Sequence, residues 1–469
     1  MNRVTHKILY GWASLGPRFL PFADVATRDL TLRRLLRLSL FQVSVGMAIV
    51  LLVGTLNRVM IVELGVSASV VAVMLSLPVI FAPFRALIGF RSDTYHSALG
   101  WRRVPFIWKG SMIQFGGLAL MPFALLVLSG GGNASQWPAW IGHVAAGIAF
   151  LMVGAGLHIT QTAGLALATD LVPEESQPKV VGLMYIMLLV GTVASATLFG
   201  MLLEDFSPGK LVSVIQGSAV ATLVINTIAL WKQETRRPRG APAPRRDPSF
   251  REAWESFRQG PQALRRMVAL GLGTMAFSMQ DVLLEPYGGQ VLGMSVGQTT
   301  QLTATLAFGT LLGFGFASRV LGRGGDPFRM ASAGALVGVA AFTTVILASS
   351  LASTAVFVAG AFLIGLGAGL FGHGTLTSTM NHAPADQRGL ALGTWGAVQA
   401  TAAGVAVALG GVLRDVVSAH GAQLSGGLLP ASGEILGYTF VYSIEVTLLL
   451  ATLVAMLPLL RVSREPAPC

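Results

Sequence analysis

Cysteine is almost missing from this chain: the one residue of that type among 469 is Cys469. A disulfide within the chain and a cysteine-built metal cluster are thereby excluded. Charge is nearly as scarce, since only 11% of residues are Asp, Glu, Lys or Arg. No aspartate-rich cluster of the kind that holds magnesium and pyrophosphate occurs, and Asp281-x-x-x-Glu285 alone is too little for prenyl transfer. P-loop and nucleophile constellations are missing as well, so no enzymatic activity is expected. After Arg3, His6, Lys7 and Arg18 there is no short apolar segment with a small-residue cleavage site. The first hydrophobic segment is therefore expected to stay as a membrane helix.

What the chain has in excess is apolar residues, 53% of the total, with a mean hydropathy of +0.68. Such a composition belongs in lipid. With each crossing needing roughly 20 apolar residues, the length accommodates about twelve spans and no large soluble domain. Apolar runs are read near 35–63, 68–90, 104–129, 138–168, 179–203 and 210–231, then near 267–292, 299–321, 330–350, 354–380, 389–413 and 436–460. The expected organisation is an N-terminal segment 1–34, a six-helix half 35–231, a basic linker 232–266, a second half 267–460 and a tail 461–469.

Positive charge collects at alternate ends of these runs. Arg28, Arg33, Arg34 and Arg37 precede the first, Arg91, Arg102 and Arg103 follow the second, Arg319, Arg323 and Arg329 flank the join of the eighth and ninth, and Arg461 and Arg464 follow the last. The opposite connections, such as 129–137, 294–298 and 349–353, contain none, and only Lys210 and Arg414 break the pattern. Because Lys and Arg resist translocation, both termini are expected in the cytoplasm. Topology also explains the net charge of +11 better than nucleic-acid binding does.

The halves repeat one unit. Asp170-Leu-Val-Pro173-Glu-Glu175 and Asn381-His-Ala-Pro384-Ala-Asp386 match at a constant offset, which also carries Gly154 onto Gly365, Gly156 onto Gly367, Gly182 onto Gly393 and Gly200 onto Gly411. A duplicated six-helix unit is the build of the major facilitator fold, an all-α membrane architecture of two pseudo-symmetric halves with a cavity between them. Gly89-Phe-Arg91-Ser-Asp93 and Gly100-Trp-Arg102-Arg103 resemble that superfamily's loop signature with a longer spacer. Such an Asp can accept from a helix N-terminus and pair with an Arg as a latch; an ordinary charged turn is the plainer alternative.

Ionisable residues within lipid are costly and are functional candidates by default. Arg58 lies on segment one, and Asp281 and Glu285 lie one turn apart on segment seven. All are near the non-cytoplasmic end, where a salt bridge between halves would gate the outer side. The alternative is that they snorkel to the interface. Glu445 has no obvious partner. His143, His158 and His373 are candidate axial ligands for a magnesium porphyrin, although a lone helical His is more often a packing residue. Gly367-Ala-Gly369-Leu-Phe-Gly372 matches a dinucleotide pattern but sits inside an apolar helix, where glycines serve close helix contact. In the linker, Ser249 and Glu252 read as a capping box ahead of the stripe Phe250, Trp254 and Phe257, predicting a short amphipathic helix that lies on the cytoplasmic membrane surface or docks a partner helix.

Longer strings are more specific. Leu35-Leu-Arg-Leu-Ser-Leu-Phe-Gln42-Val-Ser-Val-Gly46-Met, Gly54-Thr-Leu-Asn57-Arg58-Val-Met-Ile-Val-Glu63-Leu, Ala82-Pro-Phe-Arg85-Ala-Leu-Ile-Gly89 and Gln280-Asp281-Val-Leu-Leu-Glu285-Pro286-Tyr-Gly-Gly resemble the PucC/LhaA family of phototrophic bacteria, essentially end to end. The lead from Arg18 to Asp24 looks like the PucC branch. The resemblance implies an inner-membrane assembly factor for light-harvesting antenna complexes. Its implied partners are antenna polypeptides and bacteriochlorophyll or its synthesis machinery, with the pigment as bound cargo and no covalent cofactor. Asn57, Arg58, Arg85, Gln280, Asp281 and Glu285 are thereby marked as cavity or gate candidates. Two other classes stay open: a proton-coupled exporter of small molecules and an enzyme of pigment maturation, the latter disfavoured by the missing aspartate-rich site.

Overall fold

A computed structural model describes residues 31–80, 88, 92, 101–173, 176–234, 262–381, 388–424 and 433–462. Its membrane helices are α1 (Leu32–Glu63), α2 (Ala68–Ile80), α3 (Val104–Leu128), α4 (Ala139–Asp170), α5 (Gln177–Leu202), α6 (Pro208–Leu230), α7 (Ala263–Gln290), α8 (Val296–Leu321), α9 (Pro327–Ser350), α10 (Thr354–Asn381), α11 (Arg388–Leu424) and α12 (Gly433–Val462). All but α2 are long and apolar enough to cross a bilayer. Inside lipid a backbone must satisfy its own polar groups, and a continuous helix does so.

Local signals set the helix ends. Proline stands in the first turn of α3, α5, α6 and α9, where its missing N–H costs nothing. Ser295 and Gln298 form a reciprocal capping box at α8, and Asp326 accepts from the amides of Phe328 and Arg329 at α9. Gly65, at a φ of +64°, turns the chain from α1 towards α2, a conformation other residues rarely adopt.

Packing repeats with a shift of six helices. In the first half α3 packs on α4 and α6, α1 on α5, and α2 on α4; in the second, α9 packs on α10 and α12, α7 on α11, and α8 on α10. The halves meet through α2 against α11 and α5 against α8, which are images of each other, and through α1 against α7. Equivalent glycines make equivalent contacts. A Cβ on Gly156 would lie 2.6 Å from the Gly110 carbonyl of α3, and one on Gly367 would lie 2.8 Å from the Gly334 carbonyl of α9. Gly154 abuts Pro78 of α2, and Gly365 abuts Leu306 of α8. Gly200 faces the Gly297 carbonyl of α8, and Gly411 faces the Ala68 carbonyl of α2. Backbones approach this closely only where side chains are small. Gly367 and Gly369 thus serve helix packing, against α9 and α8 respectively.

Among the described residues, two expected boundaries shift by four residues or more. The seventh helix begins at Ala263 instead of near 267, taking in Arg265 and Arg266. The eleventh continues past 413 to Leu424, because the residue expected to end it, Arg414, turns inward and is only 7% exposed.

The interiors of the halves differ in chemistry. In the first, Ser44 donates to Asn226 Oδ1 at 2.8 Å, Asn226 donates to Ser111 at 2.7 Å, and Gln114 reaches the Ser44 carbonyl and Thr222. All five side chains are buried. In the second, Tyr287, Tyr438, Tyr442, Phe342 and Phe357 pack ring on ring.

Candidate functional site

The helices α1 and α7, which meet across the halves, are both irregular there. The helical run of α1 widens to π geometry over Val50–Leu56 and again over Val59–Glu63. The run of α7 breaks into a 3-10 segment, Met279–Val282, between Ala263–Ser278 and Leu284–Gln290. Insertions of this kind and discontinuous membrane helices mark functional sites, because they release backbone groups to outside partners. Here one partner is Asn57, whose amide donates across the halves to the carbonyls of Asp281 at 3.3 Å and Val282 at 3.2 Å.

The charged residues interlock. Arg58 on α1 is buried, and its guanidinium lies over Gly289 of α7: a Cβ there would come within 3.2 Å of Nε and 3.3 Å of Nη2. Glu285, one helical turn before Gly289, lies over Gly54, one turn before Arg58; a Cβ on Gly54 would meet its Oε1 at 2.7 Å. Each helix therefore offers a glycine to receive the other's charged side chain. Glu285 accepts from Thr303 of α8 through Oε1, while Oε2 has no hydrogen-bond partner. The ion pair expected between the halves is replaced: Arg58 pairs with Glu63 on its own helix and donates to the Met294 carbonyl at 3.1 Å. The π turn explains this, since it brings residues five apart onto one face. Arg58 and Glu285 remain electrostatic neighbours across the joint.

Next to this joint, Gln280 donates to Asp281 Oδ1 at 2.5 Å. Asp281 is partly exposed, whereas Glu445 of α12 is fully buried. Further along, Arg414 bonds Asp415 at 2.8 Å and Gln290 at 2.6 Å and covers the Tyr438 ring at 4.7 Å. Tyr438 donates to the same Gln290 oxygen at 2.6 Å. The other oxygen of Asp415 accepts from the Ser69 amide at 2.6 Å, capping the start of α2 from across the halves.

At the basic end, Arg102 and Arg103 both pair with Asp170, the last residue of α4, at 2.5 Å and 3.1 Å, and Arg103 also donates to Ser92. Glu234 accepts from the backbone amides of Arg102, Arg103 and Val104 at the start of α3, at 2.8–3.1 Å. Arg34 of α1 donates to the Gln233 carbonyl at 2.6 Å, and Arg37 to that of Trp231 at 2.6 Å. Arg85, Gly89, Asp93 and Gly100 lie outside the described residues, as does the linker segment 249–258.

The three histidines do not converge. His143 and His158 are fifteen residues apart on α4, a separation of about 22 Å along a helix. His373 lies on α10 with its ring 4.2 Å from that of Phe314. The sequence reading missed Glu63, Thr303, Gln290, Asp415 and Glu234. Of these, Glu63 stood in a quoted string but at a spacing that an ordinary α-helix would put on another face.

Comparison with known proteins gives consistent matches. The sequence profile described as PUCC protein matches residues 55–464. Protein PucC of Rhodovulum sulfidophilum is 61% identical, covering 92% of this chain and 96% of its own. Protein PucC of Cereibacter sphaeroides is 56% identical over 98% of both chains. A Rhodobacter capsulatus protein named "Bacteriochlorophyll synthase 44.5 kDa chain" is 28% identical, covering 82% of this chain and 88% of its own. Among solved structures, a bacterial homolog of the human lysosomal transporter Spinster, inward-facing, superposes with a TM-score of 0.67 at 15% identity, over 93% of this chain and 98% of that one. A bacterial homologue of the iron transporter ferroportin, inward-facing, gives 0.63 at 16%, over 91% and 99%. These structural likenesses establish the major facilitator fold and nothing about substrate.

Proposed function

The chain belongs to the PUCC family, and from that premise we propose that it is a membrane assembly factor for bacterial light-harvesting antenna complexes, handling bacteriochlorophyll, antenna polypeptides or both within the bilayer. The observation that carries the reading is identity of 56–61% over nearly the whole length to proteins named PucC. A relative named for bacteriochlorophyll synthase supports a pigment context. We take the present chain as non-enzymatic, resting on the transporter-type fold and on a sequence without an aspartate-rich site. It resides in the bacterial inner membrane with both termini cytoplasmic, as the distribution of arginines implies.

On this reading Asn57, Arg58, Gln280, Asp281 and Glu285 form the joint on which the halves work. The Arg102, Arg103 and Asp170 cluster braces the basic end. The test is a deletion strain combined with purification of the tagged chain in mild detergent. Loss of antenna complexes with pigment synthesis intact, and co-purification of bacteriochlorophyll or antenna polypeptides, are the expected results. Normal antenna levels, or accumulation of an unfinished pigment precursor, would overturn the proposal.

A second reading, a proton-coupled transporter, is favoured by one observation, the buried Glu285 with an unpaired oxygen at the joint of a transporter fold. It requires Glu285→Gln to abolish flux in vesicles while antenna levels stay normal.

A further inference from the structure

Positive charge is concentrated where α1 begins and α6 ends. Arg34 donates to the side chain and the carbonyl of Gln233, at 3.2 Å and 2.6 Å, and Gln233 donates back to the Arg34 carbonyl at 3.1 Å. Arg37 donates to the Trp231 carbonyl at 2.6 Å. These bonds set residues 34–37 beside residues 231–233 and leave two further cations next to them. Arg33 lies one turn before Arg37 on α1, and Lys232 lies between the two residues that α1 holds; both are exposed. No carboxylate among the described residues pairs with Arg33, Arg34, Arg37 or Lys232. Glu234, two residues after Lys232, is spent on the amides of Arg102, Arg103 and Val104.

Depth in the membrane identifies the missing anion. With 23 residues, α6 is about 34 Å long, close to the roughly 30 Å of a hydrocarbon core. Its ends therefore lie at the headgroup boundaries. Trp231, the residue after it, is 60% exposed, and indole rings favour that boundary. Arg37, bonded to the Trp231 carbonyl, shares its depth. A neutral carbonyl orients the guanidinium without cancelling its charge. Beside Arg37, Leu36 is 40% exposed, so the cations have an apolar flank that faces outward. A phospholipid matches this pairing, its phosphate on the cations and its acyl chains on the flank; a free phosphate uses only the cations.

We propose that Arg33, Arg37 and Lys232 form a binding site for the phosphate of one anionic phospholipid, whose acyl chains lie against Leu36 and the Trp231 ring. Arg34, engaged twice by Gln233, holds the two chain segments together and sets the spacing of the site. The lipid neutralises a seam that the chain itself leaves positive, and it thereby supports the contact that fastens α6 to α1. The inference does not rest on the antenna reading.

Fluorescence quenching of the full chain in mixed micelles, by phospholipids with brominated acyl chains, tests it. The readout is the quenching that disappears in Trp231→Phe, which isolates one indole among eight. This component should be half-quenched by brominated phosphatidylglycerol at a mole fraction roughly tenfold below that of brominated phosphatidylcholine. Arg33→Gln and Lys232→Gln should each raise the phosphatidylglycerol midpoint about fivefold, as the loss of one cation near a lipid surface does, and Arg33→Lys should keep it within about twofold. Neither the Arg33 nor the Lys232 side chain bonds another described residue, so these substitutions break no contact that holds the fold. Arg323→Gln, the same loss of charge at the connection of α8 and α9, should leave the midpoint unchanged. A Trp231 component that no brominated lipid quenches, equal midpoints for the two lipids, or no shift in both glutamine variants overturns the proposal. So does an equal shift in Arg323→Gln, which would reduce the effect to overall charge. Relief of quenching by inorganic phosphate, beyond that by sodium chloride at the same ionic strength, would assign the cations to a free anion and overturn the lipid.

Discussion

Gly289 stands directly beneath the Arg58 guanidinium, where a Cβ would sit tightly, 3.2 Å from Nε. The inverse arrangement holds one turn away, where Gly54 lies beneath the Glu285 carboxylate. A charge from each half thus rests on bare backbone of the other, and a side chain at either glycine would press on that charge.

Substituting Gly54 by Val is expected to push Glu285 off Thr303 and to cost about 1–3 kcal/mol, as overpacking of a closed contact does. Thermal unfolding in detergent measures it. Because the clash is with one carboxylate, Gly54→Val combined with Glu285→Ala should cost less than the two changes summed. Strict additivity would show that the residues do not touch.

Asp415→Ala should loosen the start of α2, whose Ser69 amide it accepts, by about 0.5–2 kcal/mol. Faster hydrogen exchange in the first turn of α2 is the readout. Asp415→Asn keeps an acceptor oxygen and should retain most of the protection. Equal exchange in all three proteins would remove the cap.

At the basic end, Glu234→Ala is expected to speed exchange of the amides at 102–104 while leaving the far end of α3 unchanged. Three donors lose their acceptor together, so the effect should exceed that of a single cap. A uniform change along α3 would point to general destabilisation instead.

The approach of α2 to α11 can be trapped covalently. With Cys469 replaced by Ser, Ala72→Cys and Gly411→Cys place two thiols at a contact where a Gly411 Cβ would meet that of Ala72. After oxidation and cleavage at a protease site inserted in the linker, the halves should migrate together without reductant and separately with it. Failure to cross-link would show that the helices are farther apart in the membrane.

Much of the architecture was legible in the sequence because hydropathy, glycine and arginine act locally. Apolar runs give the helices, and the constant offset of Gly156 and Gly367 reports matching helix contacts. Arg58, Asp281 and Glu285 stood out because charge in lipid is rare. Their partners did not, for reasons that lie in geometry. The Arg58–Glu63 pair needs a π turn that no residue pattern announced. Arg414 resembled a helix end until its side chain was seen folded onto Tyr438. Glu234 and Asp415 act on backbone amides far away in sequence, and nothing in their neighbours reveals which helix end they cap.

The Glu234 cap carries a mechanical consequence. The chain leaving α6 is fastened to the starts of both α1 and α3 through Gln233, Trp231 and Glu234, three helices tied at one knot. Bending α1, α3 or α6 separately at that end means breaking the knot, so any rocking at the contact of α1 with α7 carries all three as one lever.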